Sequence, residues 1–194
     1  GEKRARKSKG DDEVKQGAAK AVVFLDRDGT INEDADYLSD PSGVVLIEGA
    51  ARAIKLLNDR GIKVIVVTNQ SGVGRGYFKD SDVEAVNARL KELLAREGAL
   101  VDAIYHCPHR PDEGCECRKP ETALAKRAAK EHGFGFEMAY VVGDKSSDIG
   151  LARNLLAKGV LVLTGKGAKE AQSMIEPPDF IARDLASAID WILE

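Results

Sequence analysis

The chain has 194 residues, 43% of them hydrophobic and 31% charged, which suits one domain with a core of its own. Its 29 basic and 32 acidic side chains leave a formal charge of −3, a poor balance for a dedicated nucleic-acid binder. No apolar run approaches the roughly 20 residues that cross a bilayer, and the composition excludes collagen-like and low-complexity chains.

Residues 1–20 stand apart. They hold seven basic side chains against four acidic ones, and Val14 is their only large apolar residue. Such a segment has too little apolar surface to order itself, so a flexible basic tail is expected. It lacks the apolar stretch of a secretory signal. Residues 21–194 are expected to form one domain.

From Ala21 onward the pattern alternates. Ala21–Leu25 is a short apolar run that reads as a buried strand. Glu48–Arg60 carries Ala50, Ala53, Ile54, Leu56 and Leu57 at helical spacing, and Gly61 stops it. Ile62–Val67 is the next strand. Asp80–Glu97 is a helix with Val83, Val86, Leu90, Leu93 and Leu94 on one face, ended by Gly98. A strand at Ala103–His106 leads into a loop, and Glu121–His132 is an Ala-rich helix closed by Gly133. A strand at Ala139–Val142, a helix at Ser147–Lys158 and a strand at Val160–Leu163 follow. A short helix near Ala168–Met174, the Pro177-Pro178 break, a strand at Phe180–Ala182 and a helix at Leu185–Leu193 complete the chain. Trp191 is expected to pack in the core. Strands alternating with helices predict a doubly wound, Rossmann-like α/β fold with a mainly parallel sheet. Ligands of such sheets bind at the carboxyl ends of the strands.

The chemistry-bearing residues follow predicted strands. Asp26-Arg27-Asp28-Gly29-Thr30 leaves the first one. Two carboxylates one residue apart offer hard oxygen ligands to Mg²⁺. Asp26 can attack phosphorus, and Asp28 can move protons to a leaving oxygen and from water. The plainer alternative is an Asp-x-Asp-Gly turn. The second strand runs into Thr68-Asn69-Gln70-Ser71-Gly72, where a hydroxyl and backbone N–H groups suit a phosphoryl oxygen. Lys119, just before a helix, is a cation for a transferring phosphoryl group. Asp144 offers a further Mg²⁺ carboxylate, and Asp148 either supports the site or caps its helix.

All three cysteines lie in Cys107-x-His109-x5-Cys115-x-Cys117. Three thiolates and an imidazole suit tetrahedral Zn²⁺, and an odd cysteine count argues against a disulfide framework. Four protein ligands leave no open position, so the expected zinc is structural; the alternative is three reduced thiols beside a surface histidine. His106 and His132 receive no role. Gly72, Gly74 and Gly76 make no dinucleotide fingerprint, and Thr164-Gly165-Lys166-Gly167 lacks the flanking residues of a Walker loop, so it reads as an ordinary loop.

The order Asp-x-Asp-Gly-Thr, strand-end Thr68, Lys119 and Gly-Asp-x-x-x-Asp resembles the haloacid dehalogenase (HAD) superfamily of phosphohydrolases over nearly all of residues 21–194. The resemblance implies Asp26 as nucleophile and Asp28 as general acid and base. It implies Thr68 and Lys119 as phosphoryl stabilisers, with Mg²⁺ on Asp26, the Asp28 carbonyl and Asp144. The loop 107–117, running on into Arg118-Lys119-Pro120, is similar to that of a zinc-loop branch containing heptose bisphosphate and histidinol-phosphate phosphatases. In that branch the loop takes the place of a large cap domain. No segment between Asp28 and Thr68, or between Thr68 and Lys119, is long enough for a cap here. Asp26–Asn32 and Thr68–Gly76 look more like the heptose side, and the histidinol side typically carries an acid where Ser71 stands. The resemblance implies contacts to a small phosphorylated sugar from Asp34, Tyr37, Asn69, Gln70, Ser71, Arg118 and Lys145. Arg118 suits a second phosphate because its planar fork binds oxygens in pairs. Arg75 is an even choice between substrate contact and solvated loop residue. The expected protein is a cytoplasmic monomer with no nucleic-acid or membrane partner, and histidinol phosphate is the alternative substrate.

Overall fold

A computed structural model describes residues 20–194; the segment expected to be a flexible tail lies, but for Lys20, outside the described residues. Six strands form one sheet: β1 (Val22–Leu25), β2 (Lys63–Asn69), β3 (Ala103–Cys107), β4 (Ala139–Gly143), β5 (Lys158–Val162) and β6 (Phe180–Ala182). Their order is β3-β2-β1-β4-β5-β6. Every pairing is parallel, so the expectation of a mainly parallel sheet tightens to a wholly parallel one. Among the described residues five helices connect them, α1 (Ala50–Asp59), α2 (Asp80–Arg96), α3 (Ala123–His132), α4 (Ser146–Leu155) and α5 (Gly167–Ser173), and α6 (Leu185–Leu193) follows the last strand.

β1 shows why the sheet is covered twice. All four of its residues are buried, and successive side chains point to opposite faces. Val23 and Leu25 belong to a core with Ile54 and Leu57 of α1, Val86 and Leu90 of α2, and Ile189 of α6. Val22 and Phe24 belong to a second core with Leu124 and Ala128 of α3 and Leu151 and Leu155 of α4. Burying each large side chain stabilises the fold by roughly 1.5–3 kcal/mol, so β1 is fixed from both sides.

Three expectations need adjusting. The helix expected to reach Lys158 ends at Leu155, because Leu156 turns left-handed with φ 56° and Lys158 pairs with Tyr140 as the first residue of β5. The helix expected from Glu121 begins at Ala123, since the Glu121 N–H closes a turn onto the Arg118 carbonyl. Trp191 is only partly buried: it stacks on Phe180 at 4.9 Å, at the rim of the first core. Between β1 and α1 the chain makes no more than a short 3-10 turn at Pro41–Gly43, and no cap intervenes. No helix among the described residues is long and apolar enough to cross a membrane.

Candidate active site and the cysteine–histidine loop

The sheet order reverses at β1. The chain runs outward through β2 and β3, then returns to add β4 on the other side. Crevices at such reversals are where open α/β sheets hold ligands. Asp26 and Asp28 follow β1, Thr68 lies near the end of β2, and Asp144 follows β4. Because the strands are parallel, these ends share one edge. Two glycines permit the approach. Gly29 has φ +85°, and a Cβ there would lie 2.1 Å from Asp144 Oδ2; one at Gly143 would lie 2.0 Å from Asp148 Oδ2.

Charge is concentrated at this edge. Lys119, 4% exposed, donates through Nζ to Asp26 Oδ1 at 3.0 Å and to Asp148 Oδ1 at 2.6 Å. Lys145 Nζ donates to Asp144 Oδ1 at 2.8 Å and reaches Asp26 Oδ2 at 3.4 Å. Oxygens of Asp26, Asp144 and Asp148 all lie within 4.8 Å of one another. Burial works against ionising Asp26, but the Lys119 and Lys145 ammoniums outweigh it and hold the carboxyl well below the usual range. Burial, reinforced by the Asp26 charge, pushes Asp144 up to about 7 and Asp148 up to about 6. Three carboxylates thus face two ammoniums. A hard cation balances the remaining charge, so the oxygen donors Asp26 and Asp144 fit Mg²⁺.

Asp28 is fixed differently. Its Oδ1 accepts from Arg27 Nε at 3.1 Å and Asn32 Nδ2 at 2.9 Å. Its Oδ2 accepts from Arg27 Nη2 at 3.0 Å and Gln70 Nε2 at 2.9 Å. Gln70 also donates to Thr68 Oγ1 at 2.9 Å, tying the ends of β1 and β2 together. Asn69 turns to Lys119: it accepts from the Lys119 N–H at 2.9 Å and donates to its carbonyl at 3.2 Å.

The seven residues expected to touch a sugar gather around one cleft of about 220 Å³, which Asp28 also lines. Lys166 lines it too, although its loop reads as ordinary in the sequence. The Lys166 N–H donates to Asp144 Oδ2 at 2.9 Å, and its ammonium meets Asp36 at 3.1 Å and Asp34 at 3.7 Å. Thr164 Oγ1 donates to the Gly29 carbonyl at 2.7 Å. Asp148 fills both roles open to it, capping α4 through the Lys145 N–H at 3.1 Å while pairing with Lys119. Arg75 lies outside this cleft, in a separate depression with Arg110, its Nε 3.4 Å from Ser71 Oγ. A larger hollow of about 450 Å³ between α4 and α5 has only Glu170 and Glu176 as titratable groups, so size does not mark the chemistry. Arg27, Asn32 and Lys166 contact the site and are not singled out by the sequence. The available signal was an arginine between two acids at a buried strand end, where an unpaired guanidinium is untenable.

The four predicted zinc ligands converge. Cys107 and Cys117 lie 3.6 Å from Cys115 and 2.9 Å from each other, and His109 Nδ1 lies 3.5 Å from Cys107 and 3.2 Å from Cys117. None of the sulfurs approaches the ~2.05 Å of a disulfide. A tetrahedron with ~2.3 Å zinc–sulfur bonds has edges of roughly 3.7 Å, which the two separations to Cys115 match, and the S₃N donor set suits Zn²⁺. Burial and the neighbouring Cys117 raise the Cys107 thiol. Cys115 falls to about 7, where the N–H groups of Cys117 and Arg118 overcome burial. The loop also grips the cleft. Its carbonyls accept from the Gln70 N–H at 2.7 Å, the Gly74 N–H at 2.9 Å and Arg118 Nη1 at 3.4 Å.

Comparison with known proteins agrees with this arrangement. A family profile described as HAD-hydrolase-like matches residues 116–188, and the fold is that of HAD-like hydrolases. A D-glycero-D-manno-heptose-1,7-bisphosphate 7-phosphatase of Thermosynechococcus vestitus is 40% identical over 185 residues, covering 88% of this chain and 94% of its own. A D-glycero-beta-D-manno-heptose-1,7-bisphosphate 7-phosphatase of Pseudomonas putida is 41% identical over 86% of this chain and 95% of its own. The crystal structure of D,D-heptose 1,7-bisphosphate phosphatase from B. bronchiseptica, complexed with magnesium and phosphate, matches with a TM-score of 0.83 at 33% identity. That match covers 89% of this chain and 98% of the other. The chain belongs to the D-glycero-D-manno-heptose-1,7-bisphosphate 7-phosphatase family.

Proposed function

We propose that the protein is a Mg²⁺-dependent phosphoric monoester hydrolase that removes the 7-phosphate of D-glycero-D-manno-heptose 1,7-bisphosphate in nucleotide-activated heptose biosynthesis. The observation that carries this reading is Asp26, buried and paired with Lys119, beside an Asp28 that borders the sugar-sized cleft. Asp26 Oδ attacks phosphorus, and the bond to the C7 oxygen breaks. Asp28 protonates that oxygen, so the sugar leaves as an alcohol. Asp28 then takes a proton from water, which attacks the phosphorylated Asp26 and releases phosphate. Lys119 and Thr68 hold the charge that develops on the phosphoryl oxygens. Mg²⁺, held by Asp26, the Asp28 carbonyl and Asp144, supplies further neutralisation of that charge when bound. Zn²⁺, held by Cys107, His109, Cys115 and Cys117, supplies order to the loop.

Within the cleft, Asp34, Tyr37, Gln70, Ser71 and Lys145 face the sugar, and Arg118 meets the second phosphate. Asn69 acts by holding Lys119 in place. The acids Asp34 and Asp36 are engaged by Lys166, which leaves Ser71 where an amino alcohol needs an anion. This favours the heptose over histidinol phosphate. We read the protein as a cytoplasmic monomer, without nucleic-acid or membrane partners, whose domain begins at residue 21 after a basic tail. Thiolates held for zinc suit a reducing compartment.

The test is phosphate release with Mg²⁺, comparing kcat/KM for both heptose bisphosphate anomers, histidinol phosphate and an aryl phosphate. One heptose anomer should exceed histidinol phosphate by at least about a hundredfold, as a site matched to its substrate's polar groups discriminates. Equal, low rates on all four would overturn the substrate while keeping the chemistry.

A further inference from the structure

Arg27 occupies the open position of the Asp-x-Asp pair and is fully buried, the bulkiest side chain to be so. Taking a guanidinium out of water costs several kcal/mol unless charge and hydrogen bonds compensate. Here the compensation has one direction. Nε and Nη2 grip the two oxygens of Asp28 at 3.1 and 3.0 Å, a two-point fork on one carboxylate. The remaining arm, Nη1, donates to Asn87 Oδ1 at 2.9 Å. Asn87 is 4% exposed and lies on the buried face of α2 with Val83, Val86 and Leu90. It is a polar residue on an otherwise apolar stripe, and the guanidinium is its partner.

We propose that Arg27 and Asn87 are positioning residues for the proton transfers of Asp28. The inference rests on the reading of Asp28 as general acid and base. A planar fork fixes the plane of the carboxylate as well as its position, which a point charge cannot do. Asn87 fixes the fork in turn, anchoring it to α2. Gln70 and Asn32 take the other donor positions, so each Asp28 oxygen receives two hydrogen bonds. The side chain keeps 18% exposure, and it lines both the cleft and a recess of about 40 Å³ shared with Asp26 and Lys119. The carboxyl is therefore held between the nucleophile and the cleft. Neither Arg27 nor Asn87 lines the cleft or that recess, so their effect passes through Asp28.

The test is the dependence of kcat/KM on the leaving group. This constant reports the steps up to phosphorylation of Asp26. A 4-nitrophenolate leaves without a proton, whereas a primary alkoxide needs one. Arg27→Lys keeps the charge and loses the fork; Asn87→Ala frees one arm; Asn87→Asp draws the guanidinium toward a second anion. Each should lower kcat/KM on a primary alkyl phosphate by about 10- to 100-fold, and on 4-nitrophenyl phosphate by under about threefold, following the worth of positioned acid catalysis. Asp28→Asn should show the same bias, more strongly. Equal losses on both esters would mean the pair only supports the fold, and no loss on either would mean it does nothing for Asp28; each overturns the proposal. If Arg27→Lys fails to fold, judged by circular dichroism and zinc content, the two Asn87 variants decide. An Asp28→Asn protein without the bias would overturn the acid assignment and this proposal together. A wild-type enzyme that cleaves both simple esters but not the heptose bisphosphate would overturn the substrate alone, with the ratio still deciding this proposal.

Discussion

At the sheet edge, Asp26, Lys119 and the Asp144–Asp148 pair arrive from three separate segments and meet because the strands are parallel. In the loop 107–117, three sulfurs and an imidazole meet because they are near in sequence. The edge rests on two apolar cores and neutralises much of its own charge. The loop has little apolar material beyond its cysteines and depends on its ligands. Damage to the edge should therefore remove chemistry and spare the fold. Damage to the loop should reach both, because its carbonyls hold Gln70, Gly74 and Arg118.

Asp26→Asn is the sharpest test of that contrast. Turnover should fall by more than about a thousandfold, since no other carboxylate replaces a lost nucleophile. Zinc content and melting temperature should stay close to wild type, because Lys119 keeps Asp148 and Lys145 keeps Asp144. A large drop in melting temperature would show that the edge carries the fold as well.

Cys117→Ser should act in the opposite sense. Elemental analysis should find the zinc lost and calorimetry a melting temperature lower by roughly 5 °C or more, as expected for a few kcal/mol in a chain of this size. The value of kcat/KM should fall by about 10- to 100-fold, comparable to losses from a disturbed supporting shell. Unchanged kcat/KM in a zinc-free protein would separate the loop from the cleft and break the comparison.

The third effect belongs to pH. An acid whose folded-state pKa is raised binds its proton more tightly folded than unfolded. It therefore lowers stability as pH rises from the unfolded value through the folded one. Asp144, pushed from 3.8 to about 7, and Asp148, to about 6, both behave this way. Asp26 is shifted downward, so its contribution is lost only below its ordinary value of 3.8, outside that window. Protein freed of Mg²⁺ should lose stability between about pH 4 and pH 7. Added Mg²⁺ should restore it, more strongly at the higher pH. An equal Mg²⁺ effect at both values would place the cation elsewhere.

The contrast also explains how much could be read from the residues in order. The strands were legible because runs such as Val64–Val67 are apolar throughout, as two-sided burial requires. The acids Asp26, Asp28 and Asp144 were legible as site candidates because they follow such runs directly. The zinc ligands were legible because the loop is local. Arg27 with Asn87 was not, since their bond spans 60 residues and depends on how α2 lies against β1. Lys166 was hidden for a related reason: its backbone N–H, rather than its side-chain type, reaches Asp144. Asp148 looked ambiguous because each of its two oxygens has a separate task. Strand pairing from Lys158, not helix propensity, sets the end of α4.

The smallest effect should come from deleting residues 1–20. The chain enters β1 at Val22, whose N–H bonds the Met138 carbonyl at the amino end of the sheet. Asp26, Asp28, Thr68 and Asp144 lie at or beyond the carboxyl ends of their strands, so the length of β1 separates the point of entry from this edge. The deleted segment carries a net basic charge, and its field is screened beyond about 8–10 Å at physiological salt. Steady-state kinetics should therefore give kcat and kcat/KM within about twofold of the full chain, with any residual difference vanishing as salt rises. A loss that persists at high salt would mean that the segment touches the cleft directly.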